Sequence, residues 1–149
     1  MLAIGSDHAG YLLKADIIKL LESKGLEVKD FGTNSPDSVD YPDFGQAVAE
    51  AVSSKECERG IVICGTGIGI SISANKVPGI RAALCTDSYM AKMSRQHNDA
   101  NILAIGERVV GPGLAFDIIE TWLDTEFLGG RHQNRVGKIS NIEKKYLIK

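Results

Sequence analysis

A glycine-rich loop is the part of this sequence with the clearest capacity for chemistry. It follows an apolar run and reads Cys64-Gly65-Thr66-Gly67-Ile68-Gly69. Glycines at alternate positions let a backbone approach a ligand closely and present N–H groups to an anion. The residues after the loop predict a helix, and a thiol at the start of a helix has a lowered pKa. The same residues also fit a tight turn without a ligand, and Cys64 alone fits a small buried apolar side chain.

Three histidines, His8, His97 and His132, form the second group of candidates. All three lie in polar stretches that predict strand ends or loops, and none lies on an apolar helix face. A single histidine is more often structural than catalytic, but three of three in such positions favour function. His97 is expected to act as an acid or base near neutral pH.

Arg131 and Arg135 form the third group. If the last helix begins there, their spacing puts both guanidinium groups on one face near a helix N-terminus, which is a good clamp for phosphate. Surface salt bridges on a solvated face fit the same spacing equally well. Arg108, at a predicted strand end, is a third candidate anion ligand, whereas Arg59 and Arg81 are interpreted as surface or structural residues.

Several known signatures do not fit the glycine-rich loop. A dinucleotide fingerprint needs glycine where this chain has Ile70, and a phosphate-binding loop of an NTPase needs a lysine that is not present. A cysteine phosphatase needs an arginine six residues after its nucleophile, where Ile70 and Ala91 follow Cys64 and Cys85. No cluster with the spacing of metal ligands is visible, so we expect neither a metal nor a cofactor.

The remaining groups are a thiol, a threonine hydroxyl, a histidine, backbone donors and arginines. Moving a proton between adjacent carbons of a phosphorylated sugar needs this set. A base takes the proton beside the carbonyl, hydrogen-bond donors stabilise the enediolate, and cations hold the phosphate.

These groups must be positioned by a regular framework, and the sequence predicts one. Short apolar runs predict five strands, at residues 2–5, 26–31, 61–64, 80–85 and 102–105. Three of the runs are continuously apolar (61–64, 82–85 and 102–105), as in strands covered on both faces, whereas 26–29 alternates like an edge strand.

Helical periodicity fills the segments between the strands. The first predicted helix ends at Lys24-Gly25, and the second begins after Pro42 with Asp43 as its N-cap. Further helices are predicted after the glycine-rich loop, after Pro112 and over about 134–146. The alternation predicts an α/β fold: a three-layer αβα, Rossmann-like, five-stranded parallel sheet in a single domain over residues 1–149. Ligands bind beyond the carboxyl ends of such strands, where the polar and glycine-rich segments lie.

Composition narrows the class of protein. The chain has 149 residues, 44% hydrophobic and 24% charged, which is ordinary for a folded globular protein. Seventeen Lys and Arg against nineteen Asp and Glu give a net charge of −2, which argues against nucleic acid or an anionic membrane as partner. We expect no membrane span, since no apolar run approaches the ~18 residues that a span needs. We also expect no signal peptide, since Asp7 and His8 interrupt the N-terminus. Three cysteines outside any CxxC pair predict a reduced, cytoplasmic compartment.

Seven motifs, distributed over nearly the whole chain, resemble the ribose/galactose isomerase family, which contains the type B ribose-5-phosphate isomerases and the galactose-6-phosphate and allose-6-phosphate isomerases. They are Ser6-Asp7-His8-Ala9-Gly10, Asp40-Tyr41-Pro42-Asp43, Cys64-Gly65-Thr66-Gly67-Ile68-Gly69-Ile70-Ser71, Ala74-Asn75-Lys76, Gly79-Ile80-Arg81-Ala82, Ser94-Arg95-Gln96-His97-Asn98-Asp99-Ala100-Asn101 and Gly129-Gly130-Arg131-His132.

The resemblance implies an isomerase of the pentose phosphate pathway that interconverts D-ribose 5-phosphate and D-ribulose 5-phosphate without a cofactor. Cys64 would be the base that moves the proton between C1 and C2, Thr66 would help to move the hydroxyl proton, and His97 would open the furanose ring. Substrate-binding roles are implied for Asp7, His8, Gly65, Gly67, Ile68, Gly69, Asn98, Arg108, Arg131 and Arg135.

Among these, the loop amides would hold the enediolate oxygen, Asp7 and Asn98 would bind sugar hydroxyls, and His8 and the arginines would bind or neutralise the phosphate. The resemblance also implies a homodimer, or a tetramer, with the site shared between chains. Two alternatives stay open: isomerisation of a six-carbon sugar phosphate, and a sugar-phosphate-binding module without turnover.

Overall fold

Five parallel strands form one sheet in the computed structural model, which describes residues 1–147. The strands are β1 (Leu2–Ser6), β2 (Val28–Asp30), β3 (Arg59–Cys64), β4 (Ala82–Leu84) and β5 (Ile102–Gly106). Their order across the sheet is β2-β1-β3-β5-β4, and every neighbouring pair is parallel. The predicted α/β class and the edge position of β2 are therefore confirmed.

Helices cover both faces of the sheet. They are α1 (Tyr11–Ser23), α2 (Tyr41–Ser53), α3 (Ile68–Ala74), α4 (Ser88–Gln96), α5 (Pro112–Asp124) and α6 (Arg131–Tyr146). One buried apolar cluster joins the sheet to α1, α4 and α5, and a second joins it to α2 and α3. These two cores make the three layers, because β1, β3 and β5 contribute alternate side chains to each.

Four details differ from the predictions. Strand β4 is the second edge strand and is only partly buried, although its apolar run predicted cover on both faces. Helix α2 begins two residues before Asp43, with Asp40 at its N-cap. Helix α6 begins at Arg131 rather than near 134. Helix α4, whose bounds the sequence did not predict, fills the connection from β4 to β5.

Because all five strands are parallel, their carboxyl ends lie on one side of the sheet and their amino ends lie on the opposite side. Residues that follow β1, β3 and β5 meet at what we call the carboxyl edge. Helices α4 and α5 run back from there, so the ends of these helices lie at the opposite, amino edge. Within the described part of the chain, no helix has the length and apolar character needed to span a bilayer.

Candidate active site

The glycine-rich loop after β3 adopts a shape that requires glycine at its turn. Gly67 has a φ of +81° and forms the N-terminal boundary of α3. A Cβ atom at Gly67 would come within 2.6 Å of Leu84 Cδ1 and 2.9 Å of the Ile105 carbonyl carbon. The loop therefore turns in close contact with β4 and β5, and any larger residue would push it away from the sheet.

Cys64 ends β3 directly below this turn. Its side chain is nearly buried, and the backbone N–H of Gly67 donates a hydrogen bond of 3.1 Å to Sγ. Cys64 nevertheless lines an open cavity at the carboxyl edge. The loop thus orients the sulfur toward a place that a ligand can reach.

Thr66 is held by the same loop. The N–H of Ile68 donates to Thr66 Oγ1 at 3.1 Å, so the oxygen accepts from the loop while the hydroxyl proton is left to donate elsewhere. The amides of Gly67 and Ile68 were both predicted to hold an enediolate oxygen. In the structure these two amides orient the side chains of Cys64 and Thr66.

Asp7 follows β1 and faces the same cavity. Its carboxylate Oδ1 accepts a hydrogen bond of 2.9 Å from the N–H of Ala9, and only 6% of the residue is exposed. A side chain that bonds to the backbone two residues on forms a local turn, which fixes the carboxylate at the end of the strand.

His8 lies beside Asp7 and is held by the segment that connects β2 to α2. The N–H of Val39 donates to His8 Nδ1 at 3.2 Å. Nδ1 is thus occupied by this contact, and Nε2 is the ring nitrogen left to contact a ligand.

Tyr41 lines the cavity and was missed as a site residue. It is the first residue of α2, and its ring lies so close to Gly69 that a Cβ there would come within 2.6 Å of Tyr41 Cε1. The signal for Tyr41 was its place in a motif eleven residues after β2. Tyr41 is separated from β2 by a long loop, so its distance in sequence from the strand end does not point to the site.

Arg108 completes the group at the carboxyl edge. Its side chain lies against Gly65, whose missing Cβ would be 3.5 Å from Arg108 Cδ. The cavity has a volume of about 510 Å³, and its lining consists of Asp7, His8, Ala9, Tyr41, Cys64, Gly65, Thr66, Ile68, Gly69, Ile72 and Arg108. Eight of the predicted site residues that lie near the ends of β1, β3 and β5 are thus brought together, with Gly67 in the same loop.

The other predicted residues form a second group at the amino edge. His97 caps the end of α4, and its ring stacks on that of His132 with centroids 4.2 Å apart and planes 13° apart. His132 was predicted in a loop but lies in the first turn of α6 and is 7% exposed. Burial lowers the pKa of His132, and repulsion from His97, Arg131 and Arg135 lowers it further.

Arg131 and Arg135 lie on one face of the first turns of α6, because the helix begins at Arg131. Five ion pairs occur within residues 1–147, and none involves Arg108, Arg131 or Arg135. The surface salt bridges that offered an alternative explanation of the spacing are therefore not formed in this part of the chain.

Asn98 is exposed in the turn that follows His97.

The two groups lie too far apart to act together in one chain. Strand β5 begins shortly after His97 and ends before Arg108, and its five residues span about 16 Å. An open-chain pentose phosphate is shorter than this distance. One chain therefore presents two separate groups of predicted site residues, which we call its predicted half-sites: the Cys64 group at the carboxyl edge and the His97 group at the amino edge.

Neither half-site has the donors of a metal centre. No group of three or more His, Cys, Asp or Glu side chains within the described residues is arranged to hold a metal ion. The chemistry that the arrangement offers is acid–base chemistry by a thiol, a hydroxyl and an imidazole, together with cationic binding of an anion.

Known proteins match the chain over almost its full length. The family model of the ribose/galactose isomerases matches residues 2–139. Ribose-5-phosphate isomerase B of Escherichia coli (strain K12) is 51% identical over 144 residues, which are 97% of each chain. D-erythrulose-4-phosphate isomerase of Pectobacterium atrosepticum is 46% identical over 143 residues, covering 95% of this chain and 94% of that one. The solved structure of Clostridium thermocellum ribose-5-phosphate isomerase B has a TM-score of 0.97 and 71% identity, covering 97% of this chain and 98% of that chain.

The fold and these matches define the class of the protein as an isomerase. The chain belongs to the ribose/galactose isomerase family.

Proposed function

We propose that this chain interconverts D-ribose 5-phosphate and D-ribulose 5-phosphate, with Cys64 as the base. The observation that carries the proposal is the position of Cys64 Sγ, held by the Gly67 amide at the wall of a cavity that also contains Thr66 and Arg108. Proton transfer along a phosphorylated sugar needs a base, a hydroxyl relay and a cation in one cleft. The Escherichia coli and Clostridium thermocellum relatives bear the name of this activity.

The proposed reaction starts from the open-chain aldose. The Cys64 thiolate takes the proton from C2, the electron pair forms a C1–C2 double bond, and the C1 carbonyl oxygen becomes the oxyanion of an enediolate. Thr66 relays the hydroxyl proton from O2 to O1. The Cys64 thiol then returns its proton to C1, which leaves a hydroxymethyl group at C1, a carbonyl at C2 and the thiolate restored.

Ring opening calls for a second acid–base group, because the aldose is a furanose in solution. His97 suits this step, since an imidazole can take the proton of O1 and supply one to the ring oxygen. In one chain, however, His97 lies at the edge opposite to Cys64. We therefore include in the proposal a homodimer in which His97 and Asn98 of the partner subunit complete the Cys64 cavity.

Exposed apolar side chains support such a dimer. Tyr89 on α4 is 70% exposed, and Leu128, just before α6, is 60% exposed. Both lie on the segments that carry the His97 group. Arg131 and Arg135 would enter the partner's cavity with His97 and bind the phosphate together with Arg108, while His8 would donate a hydrogen bond from Nε2.

A sugar phosphate of different chain length is the second candidate substrate. The family description includes galactose, and the Pectobacterium relative is named for a four-carbon substrate. The steps at C1 and C2 would be unchanged, since only the distance between these carbons and the phosphate differs. Comparison of kcat/KM for ribose 5-phosphate with that for galactose 6-phosphate and allose 6-phosphate distinguishes the candidates.

Turnover of ribose 5-phosphate in the presence of EDTA tests the proposal. We expect the parent chain to be active and Cys64→Ala to lose about 10³-fold in kcat. The matched control is Cys57→Ala, because Cys57 is also buried but lies before β3, at the opposite end of the strand that Cys64 ends. No activity in the parent would overturn the function, and full activity in Cys64→Ala would overturn the mechanism.

A further inference from the structure

We infer that Asp99, together with Arg81 and Arg95, is a positioning residue for His97 and Asn98. The inference rests on the proposed function, because it concerns the half-site that contains His97. It is carried by the hydrogen bonds of the turn between α4 and β5, residues 97–101.

The backbone of this turn reverses within a few residues. The N–H of Asp99 donates to the Arg95 carbonyl at 3.2 Å, and the N–H of Ala100 donates to the Ser94 carbonyl at 2.9 Å. Asp99 has a φ of +47°, in the left-handed region that residues other than glycine seldom adopt. Aspartate and asparagine are the residues that best tolerate this conformation.

The carboxylate of Asp99 joins two guanidinium groups. Arg95 Nη1 donates to Asp99 Oδ1 at 3.0 Å, and Arg81 Nη2 lies 3.4 Å from Asp99 Oδ2. The same two arginines also bind backbone carbonyls of the turn: Arg81 Nε donates to Asn98 O at 2.9 Å, and Arg95 Nη1 donates to Ala100 O at 2.7 Å. Asp99 therefore holds in place the two side chains that fix the backbone of the turn.

The far end of the turn is fixed by Asn101. Its Oδ1 accepts from the N–H of Arg81 at 2.8 Å, and its Nδ2 donates to the Gly79 carbonyl at 2.9 Å. Within residues 1–147, none of the hydrogen bonds of this network uses the His97 imidazole or the Asn98 side chain. The network thus fixes the backbone while leaving the two functional side chains to contact another molecule.

The carboxylate of Asp99, together with that of Glu58, balances the guanidinium groups around this network. Arg95 is 6% exposed, and Arg59 lines the same polar cavity as Arg81, Arg95 and Asp99. Repulsion from Arg95 contributes, after burial, to the lowered pKa of Arg59. Without the Asp99 carboxylate, these guanidinium groups repel one another with less compensation, and the turn that they hold shifts.

A double-mutant cycle tests the inference. Asp99→Asn keeps the shape and the left-handed conformation but removes the charge. We expect it to lower kcat by about tenfold, because small displacements of an acid–base group are costly. In a His97→Ala background the same substitution should have a smaller effect on kcat, because the part of its effect that acts through His97 is already lost.

Two further variants separate positioning from stability. Asp87→Ala removes the side chain that caps the other end of α4, where Oδ1 accepts from the N–H of Met90, so it should lower the Tm with kcat unchanged. Arg81→Lys keeps a charge but cannot bind the Asn98 carbonyl and the Asp99 carboxylate together, so it should lower kcat in the same direction as Asp99→Asn.

The inference is overturned if Asp99→Asn is fully active, or if its effect on kcat is undiminished in the His97→Ala background. It is also overturned if Asp87→Ala loses as much Tm as Asp99→Asn and lowers kcat by an equal factor. An inactive parent chain would instead overturn the proposed function, so the two failures are distinguishable.

Discussion

Cys64 differs from the other two cysteines in what surrounds its sulfur. Cys85 is packed in the core, where burial raises its pKa to about 11, and burial also raises the pKa of Cys57. Both remain thiols at neutral pH. Only Cys64 lines an open cavity and accepts a hydrogen bond from a backbone amide. The sequence shows three similar residues, and the difference between them comes from the end of β3 and the turn at Gly67.

The stacked histidines lead to a prediction about pH. Burial and the neighbouring positive groups lower the pKa of His132, so its NMR titration should have a midpoint below the ordinary value of 6.5. The folded chain then binds this proton more weakly than the unfolded chain. The free energy of unfolding contributed by His132 is therefore fully present above pH 6.5 and decreases as the pH falls from 6.5 toward the lowered pKa.

A matched variant isolates this contribution. His132→Phe keeps an aromatic ring against His97 but cannot be protonated. We expect its Tm to fall less than that of the parent chain between pH 7 and pH 5.5. A His132 titration midpoint above 6.5, or equal losses of Tm in the two chains, would contradict the prediction.

Residue types alone were enough to predict the candidate chemistry, but not the contacts of each side chain. The polar neighbours Arg131 and Gln133 predict a loop around His132. Its burial depends on the stack with His97, a residue 35 positions earlier that only the packing of α6 near the end of α4 brings close. The orientation of His8 likewise depends on a hydrogen bond from Val39, which periodicity could not place nearby.

At the scale of elements, α6 carries the clearest prediction for binding. Arg135 is exposed and has no carboxylate partner within the described residues. Arg135→Ala should raise KM for ribose 5-phosphate by about tenfold with little change in kcat, since the phosphate is bound alike in the ground state and the transition state. Steady-state kinetics measure both parameters.

Lys138→Ala is the control on the same helix, because Lys138 is exposed and one turn further along. It should leave KM unchanged if Arg135 acts at a defined phosphate position. A fall in kcat at constant KM for Arg135→Ala, or an equal rise in KM for Lys138→Ala, would refute this role.

Helices with a regular spacing of apolar residues could be predicted from the sequence, whereas a helix without that spacing could not. Helix α5 has Ile118, Ile119 and Trp122 at helical spacing on its buried face and was found. Helix α4 buries Ala91, Ser94 and Arg95 while Tyr89 and Met90 are exposed, which is the reverse of the usual pattern. Its bounds were missed because its polar face is the buried one. A dimer contact would explain the exposed apolar residues.

At the scale of the whole molecule, the net charge of −2 gives no indication of where the positive charge lies. Arg108 is at the carboxyl edge, and Arg131 and Arg135 are at the amino edge. A single chain therefore divides the cations of the proposed phosphate site between two faces. In the proposed symmetric dimer, the carboxyl edge of each chain faces the amino edge of its partner. The two-fold symmetry repeats this contact, so the dimer has two such sites.

Mixed dimers give the most direct test of this account. Cys64→Ala and His97→Ala chains, each with strongly reduced turnover alone, are coexpressed with different affinity tags, and the mixed dimer is purified. If the site is shared, each mixed dimer has one intact site, and a statistical mixture of all dimers recovers about a quarter of the parent activity.

We expect restored turnover of ribose 5-phosphate in the purified mixed dimer, with the KM of the parent chain. A mixed dimer that is as inactive as the two separate variants would contradict it, because Cys64 and His97 would then have to act within one chain.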